Sequence, residues 1–383
     1  MNILFITPWY PNERNPISGI YVKELARAIS KNCNVVVLHG YYDASIHACI
    51  ISDKTEDGIR VVRVQYPKSY VPVLSYLLYL FTIFGLSRKI LVDFKPDVIH
   101  AHVYLSGIIA IFLGKSYRIP VIVTEHAEII DRFKGGYLRK LTNSIKLFLA
   151  KFVFNNADIL VLVSRSLQEY IEKLGVKNNY KIVPNAVNTE IFYPNKINKN
   201  KTNKKLLFVG GLTPIKGVPY LLEAVGFIRN KRDDFILDII GEGIFRKDYE
   251  KLAYDIGISD VVLFHGLKDK QGTAEFMRAC DFFILPSLYE TFGVVLIEAL
   301  ACGKPVISTL NGGQKEFIND ENGILISPKD PVALGKAIEY MLDHFQDYNA
   351  ESISSYTKEK FSYDAVGKTM EDIYSGILSG KIN

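Results

Sequence analysis

Short apolar runs alternate along the chain with longer stretches whose apolar residues recur every three or four positions. NILFIT (2–7), NVVVLHG (34–40), GIRVVRVQ (58–65), PDVIHAH (96–102), PVIVTEH (120–126), ADILVLVS (157–164) and KIVPNAV (181–187) read as strands. Between them, GIYVKELARAIS (19–30) places Val22, Leu25, Ala26 and Ile29 on one helical face, and RSLQEYIEKLG (165–175) is a second helix. The pattern is interrupted at 193–205, YPNKINKNKTNKK, where apolar periodicity vanishes and lysine and asparagine accumulate. It then restarts with LLFVGG (206–211), FILDIIGEG (235–243), VVLFHG (261–266), DFFILPS (281–287) and KPVIS (304–308), with helical stretches between them. Strands alternating with helices predict parallel sheets with crossover helices. The fold class expected is α/β: two tandem Rossmann-like, doubly wound domains.

The domain limits predicted are 1–192, a linker at 193–205, and 206–363. A closing helix at 364–383 is expected to return to the first domain, with Val366, Met370, Ile373 and Ile377 on its buried face. Ligands of such sheets bind beyond the carboxyl ends of the strands, so the chemistry is expected in a cleft where the two domains face each other.

Composition changes this picture little. The 383 residues are 48% hydrophobic and 23% charged, as in ordinary globular proteins, and the net charge of +5 suits anionic partners without arguing for nucleic acid. Cys33, Cys49, Cys280 and Cys302 form no C-x-x-C pair, so a zinc clip or redox motif is not signalled and a reduced, cytoplasmic setting is expected. MNILFITPWYP lacks a basic n-region and a cleavage site, and reads as a first strand.

Two segments raise the question of a membrane. VPVLSYLLYLFTIFGLS (71–87) has 17 residues, diluted by Pro72, serines, a threonine and tyrosines; a core or interfacial helix is expected rather than a span. Residues 132–151 carry Arg132, Lys134, Arg139, Lys140, Lys146 and Lys151 with no acid, interleaved with apolar residues. Such a helix either lies on an anionic membrane surface or is a solvated face over a core helix. The expectation is membrane contact on the inner face of the cell membrane.

The candidate chemistry centres on YETFGVVLIEALACGKPVIS (289–308), where Glu290 and Glu298 stand eight positions apart. DFFILPS is a strand, so Glu290 falls in the loop after it. A helix starting near Phe292–Gly293 carries Glu298 one to two turns in. The helix N-terminus is an anion site, and two carboxylates flanking it suit a molecule with hydroxyls at both ends and phosphates between, such as a nucleotide sugar. The plainer alternative is a helix with ordinary surface glutamates. LLFVGGLTPIKG (206–217) supplies Gly210, Gly211 and Lys216 after a strand. These could hold a phosphate, or form only a tight turn, and Gly217 stands where a Walker A loop needs Ser or Thr. GEG (241–243) is followed by Arg246 where a third glycine would complete a dinucleotide fingerprint, which disfavours a nicotinamide enzyme. His126 ends a strand. His100 and His102 share a strand face but have no third ligand spaced to join them, and His39, His265 and His344 are expected to be structural.

In this order, LLFVGGLTPIKG, DIIGEG, VLFHG, LPSLYETFGVVLIEALACGKPVI and NGGQKEFI resemble the retaining glycosyltransferases of family 4, which have the GT-B fold. In the first half, ISGIYVKELARAI, PDVIHAHVYLSG, TEH, ADILVLVS and IVPNAVNTEIF do the same. The resemblance implies a donor that is a nucleoside-diphosphate sugar and a saccharide or polyprenyl-linked acceptor. It also implies retention at the anomeric carbon, no required metal or other cofactor, and a place in cell-surface polysaccharide synthesis. By the same resemblance Glu290 contacts the transferred sugar and Glu298 the ribose. The backbone at Thr291, Phe292, Gly293 and Val294 meets sugar and phosphate. Lys216, with Gly210 and Gly211, takes the diphosphate; His126 lies near the anomeric carbon; Gly19 lets the first loop approach the donor. Many members carry an arginine where Gly211 stands, a glycine pair in place of Ser18-Gly19, and Gly or Asp where Ala127 follows the histidine. A sugar-nucleotide epimerase on the same architecture, or a catalytically silent binding partner, are the alternatives.

Overall fold

The structure is a computed structural model that describes residues 1–67, 72–129, 137–195 and 203–381, without the side chains of 72–76 and 137–142. Arg132, Lys134, Arg139 and Lys140 of the basic stretch, and the start of the 71–87 segment, therefore fall outside the described side chains. The chain divides into two compact units, Met1–Ala186 with Tyr363–Asn383, and Val187–Ser362. The 193–205 stretch set aside as a linker thus lies within the second unit; its residues 196–202 are outside those described, and Lys204 and Lys205 open a strand.

The first unit begins β1 (Asn2–Thr7), α1 (Ile20–Ser30), β2 (Asn34–Asp43), β3 (Ile50–Glu56), β4 (Ile59–Pro67) and α2 (Pro72–Phe94). It continues with β5 (Val98–His102), α3 (Val103–Tyr117), β6 (Val121–Glu125), α4 (Tyr137–Asn156), β7 (Ile159–Leu162), α5 (Arg165–Lys173) and β8 (Tyr180–Ile182). The eight strands form one sheet in the order β3-β4-β2-β1-β5-β6-β7-β8, parallel except for β3, which pairs antiparallel with β4 at the edge. β3, IISDKTE, was not anticipated. Its side chains are mostly exposed on both faces, so it carries no burial pattern for periodicity to detect.

The second unit holds β9 (Lys204–Val209), α6 (Val218–Arg229), β10 (Phe235–Ile240), α7 (Arg246–Ile256), β11 (Val262–Phe264), α8 (Lys270–Ala279) and β12 (Phe282–Leu285). Then come α9 (Val294–Ala301), β13 (Val306–Thr309), β14 (Gly323–Ile326), α10 (Pro331–His344) and α11 (Ala350–Phe361). Its sheet is wholly parallel, in the order β11-β10-β9-β12-β13-β14. The central strands are mostly apolar because helices cover both faces, most completely in FFIL of β12, where every residue is buried.

Strand order reverses beside β1 in the first sheet and beside β9 in the second. At each reversal, adjacent strands send their connections to opposite faces, and a crevice opens at their carboxyl ends.

The last helix, α12 (Tyr363–Leu378), belongs to the first unit. Val366, Met370, Ile373 and Tyr374 join Val22, Leu25, Ala26 and Ile29 of α1 and Phe5 and Val37 of the sheet in one core, with Ile377 partly buried at its edge. Burying such side chains contributes about 1.5–3 kcal/mol each.

Candidate functional site

In the second unit, β9 ends at Val209 and β12 at Leu285, neighbours at the strand-order reversal. After β9 the chain passes Gly210 and Gly211, then a single 3-10 turn, Pro214–Lys216, before α6. Beside Gly211 there is open space: an added Cβ would meet only the Glu242 carbonyl, at 4.0 Å, whereas at Gly210 it would press on the Phe208 ring at 3.1 Å. After β12 the loop runs to Glu290, and Leu288 N–H donates to the Ile215 carbonyl (2.7 Å), tying the two loops together. The tie brings Lys216 Nζ within 2.5 Å of Glu290 Oε1, with Ser287 Oγ donating to the same oxygen at 2.8 Å.

Glu290 is also held through its backbone. Its N–H donates to the Asn311 carbonyl (3.2 Å), and its carbonyl accepts from Gly313 N–H (3.0 Å). The NGG turn after β13 thus acts as a splint for the carboxylate.

Gly293 caps α9 with φ +89°, and an added Cβ would sit 2.8 Å from Leu296 Cδ1. Only glycine adopts this left-handed conformation without cost, so the sharp entry into the helix depends on it. Among the described residues no side chain caps this N-terminus, and the positive end of the helix dipole is presented there. Phe292 points the other way: it is buried against the rings of Phe317 (5.2 Å) and Phe361 (5.9 Å), so its backbone alone is available to a ligand. Thr291, Val294 and Glu298 are half-buried, with Glu298 on the fifth residue of α9. Arg246, standing where a dinucleotide fingerprint would have glycine, pairs with Glu250 (2.8 Å) and Glu242.

In the first unit, His126 follows β6 and is buried. Its Nε2 lies 3.1 Å from His102 Nδ1 at the end of β5, and the two ring planes, inclined at 24°, meet edge to edge. The Tyr21 ring covers His126 at 4.3 Å. His102 stacks in turn on His100 (4.5 Å), whose Nδ1 meets Tyr374 Oη of α12 and whose Nε2 meets Thr124 Oγ1, both at 2.6 Å. Burial disfavours the imidazolium and pushes His126 and His100 down to about 3 and His102 well below its ordinary value. Glu125, also buried, is pushed up to about 7, opposed by backbone N–H donors from His126, Ala127 and Tyr104. Gly19, at φ +61°, caps α1 where a Cβ would strike the Trp9 carbonyl at 2.2 Å; what its missing side chain admits is the first loop's own backbone.

Three of the other four histidines are held by local partners or by packing, and His47 is exposed. His265 Nε2 meets Asp238 at 2.6 Å, His344 meets Asp347 at 2.9 Å, and His39 stacks on Tyr41. Among the described residues, no three His, Cys, Asp or Glu side chains are grouped to hold a metal ion.

Sequence reasoning gave no role to Ser287, Tyr21, Glu125 or Tyr374, and read the Asn311–Gly313 turn only as part of the NGGQKEFI motif. Ser287 stands only three residues before Glu290, and Glu125 only one before His126. Tyr374 lies 274 positions from His100 and leaves no local trace.

Residues 18–191 match the model of Glycosyltransferase Family 4, and residues 189–359 that of Glycosyl transferases group 1. An uncharacterized glycosyltransferase of Methanocaldococcus jannaschii is 31% identical over 77% of this chain and 80% of its own. The sucrose-phosphate synthase of Thermosynechococcus elongatus shares the fold at a TM-score of 0.81, with 23% identity over 99% of both chains. Anabaena HepE in complex with UDP follows at 0.74 and 18% identity, over 98% of this chain and 100% of its own. Two Rossmann-like units, their helix-mouth loops and these matches agree: the chain belongs to the family 4 glycosyltransferases of the GT-B fold.

Proposed function

We propose that the protein moves a sugar from a nucleoside-diphosphate sugar to a saccharide or lipid-linked saccharide, with retention at the anomeric carbon, in the synthesis of a cell-surface polysaccharide. The observation that carries this assignment is the Lys216–Glu290 pair beside the uncapped N-terminus of α9. A cation and a helix dipole together suit a diphosphate, while a carboxylate next to them suits the hydroxyls of a sugar. HepE, with the same fold, was captured with UDP.

In this mechanism Lys216 and the α9 N-terminus stabilise the charge on the departing diphosphate, so that no bound metal is required of them. Glu290 accepts hydrogen bonds from the transferred sugar, and Glu298 from the ribose. The backbone of Gly210 and Gly211 and of Thr291 to Val294 lines the donor. His126 is the first unit's contribution to the reaction, through hydrogen bonding to a sugar hydroxyl.

A lipid-linked acceptor has support in the first unit's surface. α3 packs beside both α2 and α4. Phe81, Phe112, Ile145 and Phe148 of these helices are exposed, accompanied by Arg88, Lys89, Lys115 and Lys146. Among the described residues no helix is long and apolar enough to cross a membrane. Aromatic side chains among basic ones suit the surface of an anionic bilayer.

A screen of nucleoside-diphosphate sugars, read by thermal shift and by donor hydrolysis, tests the assignment. One donor should raise the melting temperature and be hydrolysed slowly without acceptor. NMR of the product formed with acceptor should show the donor's own anomeric configuration. A protein that no nucleotide sugar stabilises, or a product of inverted configuration, contradicts it.

A further inference from the structure

His102 and His126 present an unresolved proton count. Each ring uses one nitrogen in the 3.1 Å contact between them, His102 Nδ1 and His126 Nε2. The other nitrogen of each, His102 Nε2 and His126 Nδ1, is buried without a hydrogen-bond partner among the described residues. Both rings are neutral, because burial opposes the imidazolium at both. A neutral imidazole has one N–H, so the pair has two arrangements. In one, His126 donates from Nε2, leaving its Nδ1 bare and His102 Nε2–H without an acceptor. In the other, His102 donates from Nδ1, leaving His102 Nε2 bare and directing His126 Nδ1–H outward from the pair.

The two arrangements differ in which orphan stays inside the protein. An unpartnered buried N–H is rarer and costlier than an under-used acceptor. His102 is completely buried, with the His100 ring stacked on it (4.5 Å), the His126 ring edge-on to it (5.4 Å between centroids) and the Phe5 ring beside it. Among the described residues nothing accepts from its Nε2. His126 is at the end of its strand, beneath the single ring of Tyr21. A sugar hydroxyl, or a water that it carries, can take up an N–H from His126 Nδ1 once Tyr21 shifts.

We infer that His102 is a positioning residue for His126: by donating from Nδ1 it fixes the His126 ring as the Nδ1–H tautomer, so that His126 offers a hydrogen-bond donor to a substrate oxygen. The inference rests on the proposal that His126 meets a sugar hydroxyl. It assigns to the HAH sequence at the end of β5 a function that its spacing did not suggest. His100, one step further along, already has both nitrogens engaged, by Tyr374 and Thr124, and anchors the stack.

The test uses the full-length protein and two variants that separate the donor from the ring. His102→Phe keeps an aromatic ring in the stack but has no donor. His102→Asn loses the ring but places an amide N–H near the former Nδ1. Transfer with the best donor of the screen should fall about tenfold or more in kcat for His102→Phe, with the donor KM within about twofold, and recover largely in His102→Asn. Side-chain 15N NMR should show wild-type His126 protonated at Nδ1, and a mixture of tautomers in His102→Phe. A His126 protonated at Nε2 in the wild type overturns the inference, even if neither variant folds. So does a His102→Phe variant of wild-type kcat, since ring packing alone would then suffice, or a His102→Asn variant as slow as His102→Phe, since restoring the donor would then restore nothing. Failure of the underlying proposal looks different: His126→Ala would transfer sugar at the wild-type rate, whichever tautomer the wild-type ring adopts.

Discussion

Lys216 Nζ and Glu290 Oε1 are 2.5 Å apart, though 74 positions separate them in the chain. The side chains are 27% and 11% exposed, so the pair is open enough to exchange partners. On the proposed function, a diphosphate at the mouth of α9 would compete with Glu290 for the lysine. Gly211 offers no second cation to share the load. Lys216→Ala should therefore weaken nucleoside diphosphate binding by about tenfold or more, the worth of one charge-assisted hydrogen bond. Glu290→Gln should act in the opposite sense on binding, tightening the diphosphate up to about fivefold because a competing charge is removed. Transfer should nevertheless fall about a hundredfold, as when a group aimed at a transition state is lost. Calorimetry with the diphosphate and a transfer assay check both. Equal affinity in wild type and Lys216→Ala removes the lysine from the site.

Tyr374 ties the chain's last helix to the first unit's sheet through His100. Tyr374→Phe keeps the ring but strands His100 Nδ1 in a fully buried position. The expected loss is about 1–3 kcal/mol, seen as a lower urea midpoint with an unchanged slope. An unaltered midpoint would mean that the bond contributes nothing net.

Stability of the first unit should fall on acidification in a specific window. His39, His100 and His126 are lowered by burial from 6.5 to about 3, and His102 is lowered too. Between those values the unfolded chain binds protons that the native one refuses, so stability is full above about pH 6.5 and drains as pH falls. Glu125, raised from 4.5 to about 7, acts in the opposite direction: its native form holds a proton that the unfolded chain has lost, so its contribution declines as pH rises from 4.5 to 7. The histidines outnumber it. Near pH 5.5 unfolding should take up roughly three protons net. Denaturant titrations at pH 7.5, 6.5 and 5.5 measure this slope, and a flat profile contradicts the burial of these rings.

If the acceptor is lipid-linked, the protein should sediment with vesicles containing anionic lipid and only weakly with neutral ones. Each basic residue near the surface is worth about 1 kcal/mol, so Arg139→Glu with Lys140→Glu should weaken binding by more than tenfold. Phe148→Ser, removing an exposed ring, should weaken it further, and rising salt should reduce it in all variants. Indifference to anionic vesicles at low salt makes α4 a solvated face and points to a soluble sugar acceptor.

The alternation of apolar runs and amphipathic stretches was enough to identify two α/β units, because buried parallel strands and their covering helices impose periods that are local. The E-x7-E element was legible for the same reason: a strand end, a loop, a glycine at φ +89° and a helix are consecutive in the chain. The exposed edge strand β3 and the partners of the site were not. Local periodicity says nothing about which strand lies beside which, and the neighbours of a site are set by that order. The order β9-β12 brings Lys216 to Glu290, and the order β5-β6 brings His102 to His126. Tyr374 reaches His100 only because α12 closes back on α1. Sequence by itself determined which residue types stand at strand ends and helix mouths. Tertiary structure alone decided which of them share a proton, because hydrogen bonds depend on distances of about 3 Å that no spacing along the chain encodes.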